Sequence, residues 1–228
     1  MYHALSTLKR GIKNSQFAGP LLTVYWYCIG RHRKRLPSSE FWQKRYAEGG
    51  TSGLGSYGRL ADFKADVINT FVATENLVSV IEFGCGDGNQ LGLAKYVQYT
   101  GFDVSESAIA RCRHLFADDP SKRFCPVNEY DGATADVVLS LDVVYHLVED
   151  DVFERYMQTL FSAASRYVII YSSDKVHEPE HPVTYIKHRK FTQWILENIP
   201  NWQLMRHIHN PYPQESFADF YFYQRLNS

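Results

Sequence analysis

Two short stretches hold the residue types and spacings that could do chemistry. In Val80-Ile81-Glu82-Phe83-Gly84-Cys85-Gly86-Asp87-Gly88-Asn89 an apolar run rises into a carboxylate and then a glycine-rich turn, and Tyr99-Thr100-Gly101-Phe102-Asp103 later ends a second run in another carboxylate. Glycines after a strand let the backbone approach a ligand without Cβ clashes. A carboxylate closing the next strand can accept hydrogen bonds from a pair of hydroxyls on a nucleoside-like ligand. The second stretch is Ser140-Leu141-Asp142-Val143-Val144-Tyr145-His146-Leu147. A helical turn would put Asp142 and His146 on one side, and histidine is the side chain most often used as a general base.

The glycine spacing narrows the ligand. A dinucleotide fingerprint, G-x-G-x-x-G, would need glycine where Asn89 stands, and no Gly-Lys-Ser/Thr follows to make a P-loop. Glycines at 84, 86 and 88 with Glu82 two residues ahead resemble motif I of the class I S-adenosylmethionine (SAM)-dependent methyltransferases. That resemblance implies SAM as cofactor and S-adenosylhomocysteine (SAH) as product. It places Glu82, Gly84, Cys85, Gly86, Asp87 and Gly88 around the cofactor and Asp103 on the ribose, with Phe102 and Val104 packing on the adenine. Asn128 or Glu129, in the loop after the third strand, would read the adenine edge. The S-x-D-V-x-x-H-L block resembles the segment after strand 4 of small-molecule methyltransferases. It implies that Asp142 lies near the methionine end of SAM or the acceptor and that His146 is the candidate base, and Tyr145 is taken with them as a catalytic residue.

The elements that must position these groups follow from periodicity. Apolar runs predict strands at Val78–Phe83, Tyr99–Asp103, Arg123–Val127, Ala135–Leu141 and Tyr167–Tyr171, and two more near 202–208 and 217–225. The run 135–141 is continuous, as in a sheet buried on both faces. Helices are expected over 40–47 with Ser39 as cap, 59–73, 89–97, from a Ser105 cap to 116, 149–164 and near 190–198. Leu60, Phe63, Val67, Ile68 and Phe71 supply the helical apolar stripe of 59–73. Strands alternating with helices and a closing strand pair give an α/β class. The resemblance specifies a Rossmann-like, seven-stranded, mostly parallel sheet with an antiparallel C-terminal strand and helices on both faces.

Two loops stand out. Gly49 to Arg59 holds five glycines together with Tyr57 and Arg59 and is expected to close over the cofactor as a lid, with Tyr57 or Arg59 reaching the methionine carboxylate. The segment 171–191 gathers His177, His181, Lys187, His188, Arg189 and Lys190 at the substrate edge. A cationic wall made by His177, His181, His188 and Arg189 suggests an acidic acceptor; a solvated charged face is the other reading. The four cysteines, at 28, 85, 112 and 125, have no C-x-x-C spacing, and the 177, 181 and 188 histidines lack cysteine partners, so no metal is expected.

The chain of 228 residues suits one α/β domain, 39–228, behind an extension, 1–38. Net charge is −1, yet residues 1–35 carry seven Lys and Arg and no Asp or Glu, leaving −8 on the rest. Phe17 to Gly30 is apolar and aromatic between basic clusters, too short to span a bilayer and lacking a signal-peptide cleavage site. It reads as an interfacial anchor for an anionic membrane surface, which would make a cytoplasmic protein peripheral to that membrane; a helix packed on the domain or a basic arm is the alternative. The overall charge gives no case for nucleic acid.

An Asn/Asp-Pro-Pro-Tyr/Phe block is absent from the end of strand 4, which favours an oxygen acceptor or a small molecule. The wider strings GTSGLGSYGRLADFK and SLDVVYHLVEDDVFERYM resemble bacterial methyltransferases associated with polysaccharide biosynthesis. The expected activity is therefore O-methylation of a saccharide, a lipid-linked saccharide or a small acidic metabolite. An RNA or protein methyltransferase docking through the basic arm, and a non-catalytic SAM-binding protein, remain as alternatives. The sequence does not set the oligomeric state.

Overall fold

The computed structural model describes residues 36–176 and 185–226. The chain divides at Leu36/Pro37 into two units, and the described residues belong almost wholly to the second. The basic, apolar segment 1–35 and His177 and His181 lie outside them.

The described elements run α1 (Ser38–Ala47), α2 (Gly58–Thr74), β1 (Ser79–Phe83), β2 (Gln98–Asp103), α3 (Glu106–Leu115), β3 (Lys122–Pro126), β4 (Ala135–Leu141), α4 (Asp150–Ser162), β5 (Ala164–Ser172), α5 (Phe191–Asn198), β6 (Trp202–Ile208) and β7 (Asp219–Arg225). They build one seven-stranded sheet in the order β3-β2-β1-β4-β5-β7-β6. β1 to β5 pair in parallel, and β7 lies antiparallel between β5 and β6. This is the mostly parallel, Rossmann-like sheet that the sequence predicts.

Side-chain alternation puts a core on each face. Val137 and Leu139 of β4, Tyr167, Ile169 and Tyr171 of β5, and Phe220 and Phe222 of β7 pack with Ile68, Phe71 and Val72 of α2 and Ile109 and Cys112 of α3. Their neighbours Val138, Val168, Ile170, Tyr221 and Tyr223 pack with Phe153, Met157, Leu160 and Phe161 of α4 and Phe191 and Ile195 of α5. Burying a large aliphatic or aromatic side chain contributes about 1.5–3 kcal/mol, so both helical layers are firmly held to the strands that carry the site.

Two elements differ from expectation. The helix predicted over 89–97 is a single 3₁₀ turn, Leu91–Leu93, after which Ala94 returns to extended backbone. Gly92 weakens a helix by about 1 kcal/mol. The Asn69 side chain also captures the backbone there, donating to Leu93 O at 2.9 Å and accepting from Lys95 N at 2.9 Å. The other difference is at α1, which starts at Ser38 with Pro37 as its N-cap; no side chain of its own caps it. Ser39 therefore lies inside the helix. Glu149 caps from outside, accepting from Ser38 N at 2.8 Å and Ser38 Oγ at 2.6 Å, which satisfies one of the donors a helix start leaves open. Ser105 does cap α3, accepting from Ala108 N at 3.3 Å.

Candidate active site

Strand order reverses between β1 and β4, and in open α/β sheets ligands bind in the crevice at the carboxyl ends of strands on either side of that reversal. A cavity of about 440 Å³ lies there, lined by the ends of β1, β2 and β4, by α1 and α4, and by the 49–57 loop. That size is within the roughly 300–1,000 Å³ of small-molecule sites.

The floor is the glycine turn. Gly84, Gly86 and Gly88 all have positive φ. At Gly86 (φ 59°) a Cβ would collide with Ser52 Oγ, so the loop can rest on the turn only because the residue is glycine. Gly84, Cys85, Gly86 and Asp87 line the cavity; Gly88 does not, and instead packs on Cys112 and Phe116. The Cys85 thiol is pushed up by its hydrogen-bonded neighbour Cys112 and by burial, which leaves it protonated and unreactive.

Asp103 ends β2 in the cavity wall. One carboxylate oxygen accepts from Gly86 N at 3.0 Å and the other from Ser105 N at 2.9 Å. Burial outweighs these bonds and raises its carboxyl to about 6. Glu82 accepts from the Tyr99 hydroxyl at 2.7 Å, and burial raises it to about 7. Val104 lines the cavity too, whereas Asn128 and Glu129 are exposed and do not. Val127 takes the position in that loop against the cavity.

The 49–57 loop is fastened over the turn by Asp87. The Asp87 carboxylate accepts from Ser52 N at 2.9 Å and from the Tyr57 hydroxyl at 2.8 Å, while Asp87 N donates to Ser52 Oγ at 3.0 Å. Burial acts to raise the Asp87 carboxyl, but these bonds prevail and hold it below the usual range. Arg59 turns the other way: its guanidinium pairs with Glu215 and lies 4.5 Å from the Tyr212 ring centre. Neither Tyr57 nor Arg59 lines the cavity.

Asp142 follows β4 with φ 60°, a left-handed conformation that costs an aspartate about 1–3 kcal/mol and recurs at active sites. Its carboxylate accepts from Lys64 Nζ at 2.7 Å and from the Tyr145 hydroxyl at 2.8 Å. The Gly55 backbone approaches so closely that a Cβ there would fall 2.9 Å from Asp142 Oδ2. Tyr145 is buried behind Asp142 rather than lining the cavity, and burial followed by the Asp142 charge raises its phenol. His146 does line the cavity, edge-on to Trp42 at 4.8 Å. Its Nδ1 lies 2.9 Å from Tyr185 O. A carbonyl only accepts, so Nδ1 carries the proton and Nε2 keeps its lone pair. Burial holds the imidazole below its ordinary value and hence neutral.

The expected cationic wall is not assembled by the described residues. Lys187 and Arg189 both pair with Asp150, at 2.6 and 2.8 Å, and Arg189 Nη1 donates to Leu147 O at 2.6 Å. Lys190 pairs with Asp174, and His188 Nδ1 lies 2.6 Å from Ser173 Oγ. These side chains tie the 185–190 segment to α4 and the end of β5.

Several site residues had escaped the sequence reading. Trp42 and Tyr46 of α1, Tyr156 of α4, Gln90 and Lys64 all line the cavity. Lys64 was detectable: it sits four residues from both Leu60 and Ile68, on the apolar stripe of α2.

The cavity suits SAM chemically. The Asp103 carboxylate fits the ribose hydroxyls. Gln90 Oε1 is buried with no hydrogen-bond partner among the described residues, while its Nε2 donates to Ala61 O at 3.1 Å. An acceptor left open in this way fits an ammonium group such as that of the methionine moiety.

Residues 56–220, well over half of the chain, match the family model described as "Methyltransferase domain". No curated protein matches the sequence. Among solved structures, the chain is similar to the N-methyltransferase NodS of Bradyrhizobium japonicum WM9 bound to SAH, with TM-score 0.62, 10% identity, and coverage of 84% of this chain and 100% of that one. It is similar to the magnesium protoporphyrin IX methyltransferase of Synechocystis PCC 6803 bound to SAH, with TM-score 0.57, 16% identity, and coverage of 87% and 99%. It is also similar to the methyltransferase domain of bacterial CtHen1, with TM-score 0.58, 16% identity, and coverage of 72% and 97%. With the glycine turn, Asp103 and the reversal of strand order in place, the chain belongs to the class I SAM-dependent methyltransferases, with SAM as its cofactor.

Proposed function

We propose that this methyltransferase methylates a hydroxyl oxygen of a small acceptor, a saccharide or lipid-linked saccharide in the first instance, with His146 as general base. The observation that carries the reading is the state of His146: neutral by burial, its Nδ1 proton given to Tyr185 O, its Nε2 left to accept. Bound SAM supplies an electrophilic methyl on sulfonium sulfur. The chain supplies a base to take the hydroxyl proton as the oxygen–carbon bond forms, and aromatic walls, Trp42, Phe83 and Tyr156, that exclude water. Lys64, Asp142 and Tyr145 fix the backbone next to that base. A small acidic acceptor has weaker support, because Lys64 and Arg155, cationic residues of the described lining, are paired with Asp142 and Asp151.

The test uses methyl-labelled SAM, purified protein and fractionated cell extract, with Asp103→Ala as blank. Label in a saccharide or lipid-linked fraction, lost in His146→Ala, supports the proposal. Label in RNA or protein would replace it with an enzyme docking through residues 1–35, and tight SAM binding with no label in any extract would favour a non-catalytic SAM-binding role.

For residues 1–35 we propose attachment to an anionic membrane surface, on the strength of their seven cations and apolar 17–30 run. Sedimentation with phosphatidylserine vesicles at low salt, lost on deleting 1–35, is the expected result. Failure of the intact chain to sediment would remove the anchor.

A further inference from the structure

At the same carboxyl edge of the sheet, outside the methyl-transfer cavity, β6 and β7 bring together two imidazoles and a carboxylate. His207 and His209 are two residues apart, which in extended chain puts both on one face. The antiparallel register pairs His207 with Tyr221 and Ile208 with Phe220, and its next step sets His209 opposite Asp219. His207 Nε2 lies 3.1 Å and His209 Nδ1 3.0 Å from the same atom, Asp219 Oδ2. All three donor atoms are within 4.8 Å of one another.

We propose that His207, His209 and Asp219 bind one divalent transition-metal ion of the zinc class, clamping β6 to β7. The nitrogen–oxygen separations match the edge of a tetrahedron with bonds of about 2.0 Å, which is about 3.3 Å. Two imidazoles and one carboxylate suit zinc and cobalt; calcium and magnesium prefer oxygen ligands. The ligands are also oriented in advance. Asp219 Oδ1 accepts from Asn210 N at 2.8 Å, leaving Oδ2 for the ion, and the His207 ring stacks on Tyr221 with centroids 4.4 Å apart. Such outer contacts fix ligand geometry in metal sites. Each imidazole nitrogen that now donates to Oδ2 would turn its lone pair to the metal, its proton moving to the other ring nitrogen through solvent. With the His209 side chain 81% exposed, ion and water have access, and three protein ligands leave a fourth position for water.

The site bears on the enzyme through the 209–218 connection. Phe217, two residues before Asp219, packs edge-on against Tyr145 at 5.0 Å and His188 at 4.7 Å. An ion joining His209 to Asp219 closes the base of that connection and restrains Phe217.

The test uses the full-length, tag-free, chelator-treated protein. Titration with Co²⁺ should give visible ligand-field bands that saturate at one equivalent and are displaced by Zn²⁺, and Zn²⁺ should raise Tm. His209→Ala, at an exposed position, should keep SAH affinity, lose the Tm rise, and bind Co²⁺ at least about tenfold more weakly; Asp219→Asn should do the same for Co²⁺. Absence of saturable bands in the wild type would overturn the proposal. So would equal Co²⁺ binding by wild type and both variants, which would place the ion on other histidines of the chain.

Discussion

Lys64 and Asp142 meet at 2.7 Å in a pair that ties the middle of α2 to the strained residue after β4, with side-chain exposures of 1% and 14%. Removing one member of a buried pair costs about 3–5 kcal/mol because the other charge stays behind. Lys64→Met should lower unfolding stability by about that amount in urea titration, and Lys64→Met with Asp142→Asn should recover part of it. A loss under about 1 kcal/mol from Lys64→Met alone would mean that Asp142 is held by Tyr145 and the backbone.

His146→Ala should reduce kcat by about 10²- to 10⁴-fold, the usual range for a general base, with SAH affinity little changed. The wild-type rate should fall as pH drops through the imidazole value, and burial places that inflection below the ordinary histidine range. An inflection shared by His146→Ala would assign the titration to another group.

Asp103 and Glu82 give opposite pH trends for binding and stability. Burial raises them to about 6 and about 7, so in the free protein their stabilising contribution is full below the unfolded carboxylate values and is lost as pH rises through 6 and 7. If Asp103 accepts from two ribose hydroxyls, by contrast, it must be ionised to do so. SAH affinity measured by calorimetry should therefore weaken as pH falls below about 6, while the free protein gains stability from these groups. Asp103→Ala should weaken SAH binding about 10- to 100-fold at neutral pH, the worth of hydrogen bonds to a charged acceptor.

Asp87→Ala removes the acceptor for Ser52 N and the Tyr57 hydroxyl. Hydrogen exchange across 49–57 should quicken while that of β4 stays unchanged, and protease cleavage should concentrate in this loop. Unaltered exchange would mean that Tyr46, whose hydroxyl lies 3.0 Å from Ser52 Oγ, holds the loop.

The centre of the sheet was legible because its strands are buried on both faces: Ala135–Leu141 is read to the residue from its unbroken apolar run. Asp103 and the glycine turn are legible because the chemistry needs those residue types at that spacing. Partners distant in sequence were not legible. Asn69 dissolves the 89–97 helix, Glu149 caps α1, and Asp150 absorbs Lys187 and Arg189; each acts across more than twenty positions. Lys64 and the alternation His207-Ile208-His209 left sequence signals, a charge on an apolar stripe and a same-face histidine pair, that gain meaning only once Asp142 and Asp219 are seen opposite them.

The Asp87 clasp would also set a clock. If spent SAH leaves past Ser52 and Tyr57, the bonds that fasten them to Asp87 must part first, and release rather than chemistry would govern steady turnover. A rapid-quench experiment should then show a burst of methylated product approaching one per enzyme, followed by a slower phase that Asp87→Ala accelerates.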